Sequence, residues 1–475
     1  MREQKIDEDS TVIVNGVREG SDRYLVQPLS REGLGRIATE LPLDTDLLEL
    51  LKSWEEGKAV RDPFRAPSSI VEDPADLSQA GWGVIFAENT DPKIRRALAP
   101  LLELRSRQAK DLYFDLTYTK GSSLSQFIKE IGATLNVRPV PEKLPYYLML
   151  VGDPESIPFK FQSYLDVQYA VGRLYFDGET IDQQCASYNA YAQAVADFED
   201  GLRRPPIREV NLFAVENPGD EGTLRACGEL AEPLAEILKR TPHWKATVIG
   251  PKEAYRESLR QLLGSRQRRA IFFAACHGVG YSCGDSRQEK GQGALVCQDW
   301  GGPGTTLLRE HYFAAEDVPS EADLSGTMAV LISCHSAGTP EFDDFQQIQG
   351  KAERLTPRPL VARLPQKLLE KGALAVIGHV DRAWTSSFSS ESEGSQVHAY
   401  YDLLNQLMKG EPVGWAMETM GGIFATTAAS LHEMWLELKH FRQSDYAVYS
   451  DLWRETNDAR NFVVLGDPAV RLNVD

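Results

Sequence analysis

Cysteine is scarce in this chain, with six residues in 475, and the six (Cys185, Cys227, Cys276, Cys283, Cys297 and Cys334) are spread too widely for a disulfide framework. Four of them fall between 276 and 334, but CxxC pairs and an HxxxH spacing are both missing, which argues against a structural zinc site. No apolar run is long enough to cross a bilayer, and Met1 to Asp9 lacks the apolar stretch of a signal peptide, so the expectation is a cytoplasmic protein without a membrane partner. Positive charge is in deficit: 51 Lys and Arg stand against 69 Asp and Glu, a formal net charge of −18. Nucleic-acid domains usually carry a basic face, so direct nucleic-acid binding is not expected, and basic partners suit the chain better. No Gly-rich Lys-Ser/Thr phosphate loop is visible either. Neither a metal nor an organic cofactor is implied.

What is present is an ordinary globular composition, 42% hydrophobic and 25% charged, in a chain long enough for two or three domains. A short β-prone stretch, Thr11 to Val14, and an amphipathic stretch from Leu41 to Trp54 form a small N-terminal element. Arg61 to Ala80, rich in Pro, Ser and Asp, suits a linker. Strands are then expected at Gly83–Phe86, Leu112–Leu116 and Tyr146–Val151, with helices at Lys93–Arg107 and Ser122–Ile131. After a helix at Gln183–Leu202, strands follow at Val210–Val215 and Lys245–Ile249, with helices at Glu221–Lys239, Glu253–Leu263 and Leu360–Lys371, and a last strand at Ala373–Ile377. This alternation predicts an α/β fold with a mostly parallel sheet covered by helices on both faces. Val151-Gly152-Asp153-Pro154 and Leu465-Gly466-Asp467-Pro468 each end a strand; the echo fits two related α/β subdomains, and equally ordinary turn chemistry. The expected division is 1–75 for the N-terminal element and linker, 76–205 for a first α/β subdomain and 206–475 for a second.

Two further apolar runs end in reactive side chains. Arg269 to Ala275 leads into Cys276-His277-Gly278, and Met328 to Ser333 leads into Cys334-His335-Ser336. The carboxyl ends of parallel strands are where open α/β sheets place their sites. A thiol needs a nearby base to act as thiolate, so Cys334 reads as a nucleophile and His277 as its acid–base partner. Backbone N–H groups at Gly278 and Cys334 are the candidates for holding the oxyanion. Cys276 and Cys297 read as packing residues, and His335 as a supporting contact.

These motifs resemble the caspase, metacaspase and gingipain clan of cysteine peptidases. Phe313 to Val318 and Lys371 to His379 are similar to segments of the bacterial CHAT peptidases. Tyr147 to Pro154, with Tyr169 to Arg173, resembles the first subdomain of gingipain-like enzymes. The resemblance implies a caspase-like fold, with a pseudo-caspase first half and a catalytic second half, and the same dyad of His277 and Cys334. It implies a thiol endopeptidase acting on protein substrates, within a bacterial defence or cell-death cascade, and made as a zymogen that awaits an upstream protease or regulatory complex. The rival expectation is a catalytically silent scaffold.

In this clan the pocket for the residue before the scissile bond sets specificity. The position two before the cysteine, an Asp in metacaspase-like enzymes that cut after Arg or Lys, is Ile332 here. A basic preference would then rest on Asp381, or on Asp343 or Asp344 reaching the same place. Asp381 equally fits a pair with Arg382 or a helix cap, and Trp384 fits a pocket wall or plain core. Two polar loops flank the expected site, Ser282–Gln292 with Arg287 and Lys290, and Thr339–Arg358 with Lys351, Arg354 and Arg358. Both are candidates for an activating cut.

Overall fold

The computed structural model describes residues 11–13, 16–41, 47–48, 51, 73–134, 139–348, 351–384, 389–390, 394–395, 397–441 and 445–474, with the side chains of 344–348, 351–352, 389–390, 394–395 and 440–441 set aside. Val14, most of the stretch from Leu41 to Trp54, and the linker from Arg61 to Glu72 lie outside the described residues, as do the side chains of Asp344 and Lys351.

Ten strands form one sheet: β1 Trp82–Ala87, β2 Tyr113–Tyr118, β3 Tyr147–Val151, β4 Ala170–Leu174, β5 Ile207–Ala214, β6 Lys245–Ile249, β7 Arg269–Ala275, β8 Met328–Ile332, β9 Ala375–His379 and β10 Phe462–Gly466. Their order across the sheet is β2-β1-β3-β4-β10-β9-β8-β7-β5-β6. Every neighbouring pair is parallel except β10 with β9. The sheet is therefore two parallel halves running in opposite directions, and the C-terminal strand extends the first half where it meets the second.

Most inner strands are apolar on both faces because helices cover both sides. Alternation still sorts the side chains: Trp82, Val84 and Phe86 of β1 join one core cluster, and Ile85 and Ala87 the other. Arg105 ties the first half to the last strand. Its Nε donates to Asp467 Oδ2 at 2.6 Å, its two terminal nitrogens donate to Glu199 at 2.7 and 2.6 Å, and Trp82 Nε1 donates to Asp467 Oδ1 at 2.9 Å. Asp467 is thus the buried centre of an ion-pair network, whereas its counterpart Asp153 accepts from Ser156 N in a turn.

The expected strands recur at their places, and the helices differ where proline intervenes. The helix expected over 93–107 is split into Pro92–Ala97 and Ala99–Ala109, because Pro100 has no N–H for the helical ladder and fits only a first turn. The helix over 221–239 is continuous, but a wider π-type turn spans Ala226–Ala231 just ahead of Pro233. Toward the N-terminus, helix α1, Arg31–Glu40, packs on helix α3, Tyr446–Asn461, which in turn packs on helix α2, Glu418–Phe441. Gly35 makes the first of these contacts possible, since a Cβ there would lie 1.8 Å from the Tyr446 carbonyl oxygen. Among the described residues no helix is long and apolar enough to cross a membrane.

Candidate active site

The centre of the second half-sheet sets the site. In register, Ala275 of β7 stands beside Ile332 of β8, and Leu331 beside Gly378 of β9. His277 and Cys334 follow two positions after Ala275 and Ile332, and Asp381 follows three after Gly378, so three neighbouring strands deliver them at about one level. Ile332 itself belongs to the core.

His277 is fully buried, and its Nε2 lies 2.5 Å from Asp220 Oδ2. Asp220 stands in the loop after β5, the strand beside β7, and caps the helix that starts at Glu221 by accepting Gly222 N at 3.0 Å. The Tyr24 hydroxyl donates to its other oxygen at 2.9 Å. Burial pushes the Asp220 carboxyl up, but the facing His277 and these hydrogen bonds outweigh it and hold the group below the usual carboxylate range. The rings of Tyr24 and Trp300 meet the imidazole edge-on at 5.6 and 5.9 Å. His277 Nδ1 is buried without a hydrogen-bond partner. Asp220 and Tyr24 were not singled out in the sequence. Asp220 left one signal there, a capping residue soon after a strand; Tyr24 left none.

Cys334 has no exposed surface, and its Sγ accepts the Ala383 N–H at 3.2 Å. Burial pushes the thiol well above its ordinary value, despite that hydrogen bond and the nearby Arg382. Gly278 packs against the Cys334 peptide so closely that a Cβ would lie 1.9 Å from the Cys334 carbonyl oxygen. On either side of the thiol the backbone is strained: His335 has φ of 60° and Asp381 of 78°, and His335 N donates to Asp381 O at 2.6 Å. The buried His335 ring pairs through Nδ1 with Thr339 Oγ1 at 3.2 Å.

Around Asp381 the expected pocket residues are engaged with one another. The buried Arg382 guanidinium forms a two-pronged pair with Asp343, one prong at 2.8 Å, and reaches Asp381 Oδ1 at 3.4 Å. Trp384 is buried, with its ring 5.8 Å from that of Trp453. Cys276 and Cys297 are buried in the main core cluster.

The two flanking loops touch each other. Arg358 pairs with Glu289 at 3.1 Å and Gln288 Nε2 donates to Leu355 O at 2.8 Å. Arg354 pairs with Glu341, Lys290 is exposed, and Arg287 pairs with Asp285 and with Glu19. A surface depression of about 510 Å³, whose lining includes Arg256, Asp299, Asp317 and Glu321, contains neither His277 nor Cys334. Among the described residues no group of three or more His, Cys, Asp and Glu side chains could hold a metal ion.

A sequence model of peptidase family C25 matches residues 84–473, nearly the whole span from β1 to the C-terminus. No curated protein matches. Among solved structures, the chain is similar to the Arg-specific cysteine proteinase gingipain R, at 12% identity and a TM-score of 0.47, over 85% of this chain and 80% of that one. It is also similar to the complex of the pro- and mature domains of the Porphyromonas gingivalis enzyme, at 10% identity and a TM-score of 0.43, over 83% and 80%. The Saccharomyces cerevisiae separase–securin complex follows at 12% identity and 0.31, over 68% of this chain and 16% of that one.

Proposed function

The chain belongs to peptidase family C25 and is a cysteine peptidase, and on that premise we propose that Cys334 is its nucleophile and His277 its acid–base group. One observation carries this reading. The two residues leave adjacent parallel strands at the same level, and His277 is gripped by Asp220 through one ring nitrogen while the other has no partner. In the proposed reaction His277 Nδ1 takes the thiol proton and Sγ attacks the peptide carbonyl carbon. The C–N bond then breaks as His277 returns the proton to the leaving amine, and water hydrolyses the thioester. Asp220 would hold the ring and stabilise its charged form, and the N–H groups of Gly278 and Cys334 would meet the oxyanion.

Protein chains are the substrates of such an enzyme. For the residue before the scissile bond the reading favours a base: the Asp381 carboxylate lies near enough to act on the Cys334 thiol, and Trp384 belongs to the same cluster as Cys334. Latency, a cut in one of the two flanking loops by an upstream protease or regulatory complex, a cytoplasmic setting and a role in defence or cell death complete the reading, and they rest on the resemblance of the motifs. Fluorogenic peptides carrying Arg, Lys, Asp, Asn, Leu or Met before the reporter test it. Hydrolysis after Arg or Lys that is lost in both Cys334→Ala and His277→Ala is the expected result; hydrolysis that survives Cys334→Ala would remove the nucleophile assignment.

A further inference from the structure

The strand Gly16–Arg18 packs against the thiol. Gly16–Arg18 forms the outer strand of a four-stranded sheet, running parallel to Gly278–Gly280, the strand that begins immediately after His277. Gly16 faces Cys334 so closely that a Cβ would lie 3.1 Å from Sγ, tighter than an ordinary side-chain contact, and 2.5 Å from the end of the Leu25 side chain. Beyond it, Val12, Val26, Leu34 and Ala38 share an apolar cluster with Cys334 and Trp384. Without this segment, the Gly278–Gly280 edge would be unpaired beside the thiol, and an unpaired edge accepts an extended peptide by main-chain hydrogen bonding.

Two side chains, Arg18 on the strand and Glu19 just after it, are held by the 282–292 segment that follows His277. Arg287 Nη1 donates to Glu19 Oε1 at 2.8 Å, and Arg18 Nη1 donates to Ser282 Oγ at 3.0 Å. Backbone bonds from Glu19 N to Gly280 O at 3.0 Å and from Gly20 N to Leu307 O at 2.9 Å complete the attachment. Glu19 is the inner partner, with its side chain 7% exposed against 56% for Arg287.

We infer that Gly16–Arg18 is a resident strand occupying the place of an extended peptide substrate, that the 282–292 loop latches it there, and that Cys334 becomes reachable only when this strand moves off. A cut after Arg287 or Lys290 would free one end of the loop and loosen both side-chain ties. The inference deepens the peptidase reading by giving its latency a physical cause.

Alkylation of the full chain by iodoacetamide, followed residue by residue by mass spectrometry, tests the closure without needing turnover. Exposed Cys283 is the internal reference, and buried Cys227, Cys276 and Cys297 report global opening. Cys334 is expected to react far more slowly than Cys283 in the parent chain. Gly16→Val, which adds a branched side chain against the thiol and Leu25, and Arg287→Glu, which turns the latch repulsive, should each speed Cys334 by about tenfold or more while the other buried thiols stay silent. The exchanged pair Glu19→Arg with Arg287→Glu should return the rate toward the parent. A parent Cys334 that keeps pace with Cys283, or folded variants that leave its rate unchanged, would overturn the inference. Should Gly16→Val unfold, exposing every thiol, the surface variant Arg287→Glu decides alone. A thiol that is freed but hydrolyses nothing would instead contradict the peptidase reading and leave the closure standing.

Discussion

His277 Nε2 and Asp220 Oδ2 lie 2.5 Å apart, and neither side chain has exposed surface. Asp220 also caps its own helix and receives the Tyr24 hydroxyl, so the acid is fixed on three sides before it meets the imidazole. The arrangement fixes the ring and leaves one direction for its other nitrogen.

Asp220→Asn keeps the helix cap and removes the charge. The expected outcome is a fall in kcat/KM of about a hundredfold or more, with a smaller change in KM. Steady-state kinetics on the preferred peptide checks it, and an unchanged kcat would show that Asp220 serves only the helix.

Asp467 is the centre of a buried network that joins β10, the helix carrying Arg105 and the helix carrying Glu199. Removing one member strands the others, so Asp467→Ala should cost about 3–5 kcal/mol in urea unfolding, provided unfolding is reversible. Arg105→Met combined with Asp467→Leu and Glu199→Gln should recover part of that loss, because uncompensated buried charge rather than the missing attraction dominates the penalty.

Burial holds the His379 imidazole at about 4 and that of His335 at about 3, both below the ordinary value near ~6.5. Between those values the unfolded chain binds more protons than the native one, so stability falls as the pH drops from about 6.5 toward 4, by up to about 1.4 kcal/mol per unit for each group. His379→Gln should flatten this slope by about one proton. Urea titrations at pH 6.5, 5.5 and 4.5 give the comparison, and a slope identical to the parent's would show that His379 is not the group responsible.

The strands β7 and β8 were legible because each is a short, wholly apolar run ended by a chemically distinct residue, and such runs are buried in few other ways. The level at which His277, Cys334 and Asp381 stand follows from parallel pairing once the strands are adjacent. Three things lay outside the reach of pattern. The helices Val397–Met408, Glu418–Phe441 and Tyr446–Asn461 were not assigned. Asp220 has an ordinary capping context, and only folding brings it to the histidine. Gly16–Arg18 is three residues long, too short for any periodicity, and its partner strand begins at Gly278; read alone it passed for part of a separate N-terminal element. The local code announces strands and caps, whereas a long-range pairing leaves no mark on either segment.

The most direct measurement is hydrolysis of the fluorogenic peptide panel by the Gly16→Val chain, with its thiol shown to be alkylatable, beside the same chain carrying Cys334→Ala or His277→Ala. The account predicts hydrolysis by the first, favouring Arg or Lys before the reporter, and a fall of about 10³-fold or more in each of the other two. Hydrolysis that persists without Cys334, or an accessible thiol that cleaves no peptide in the panel, would contradict it.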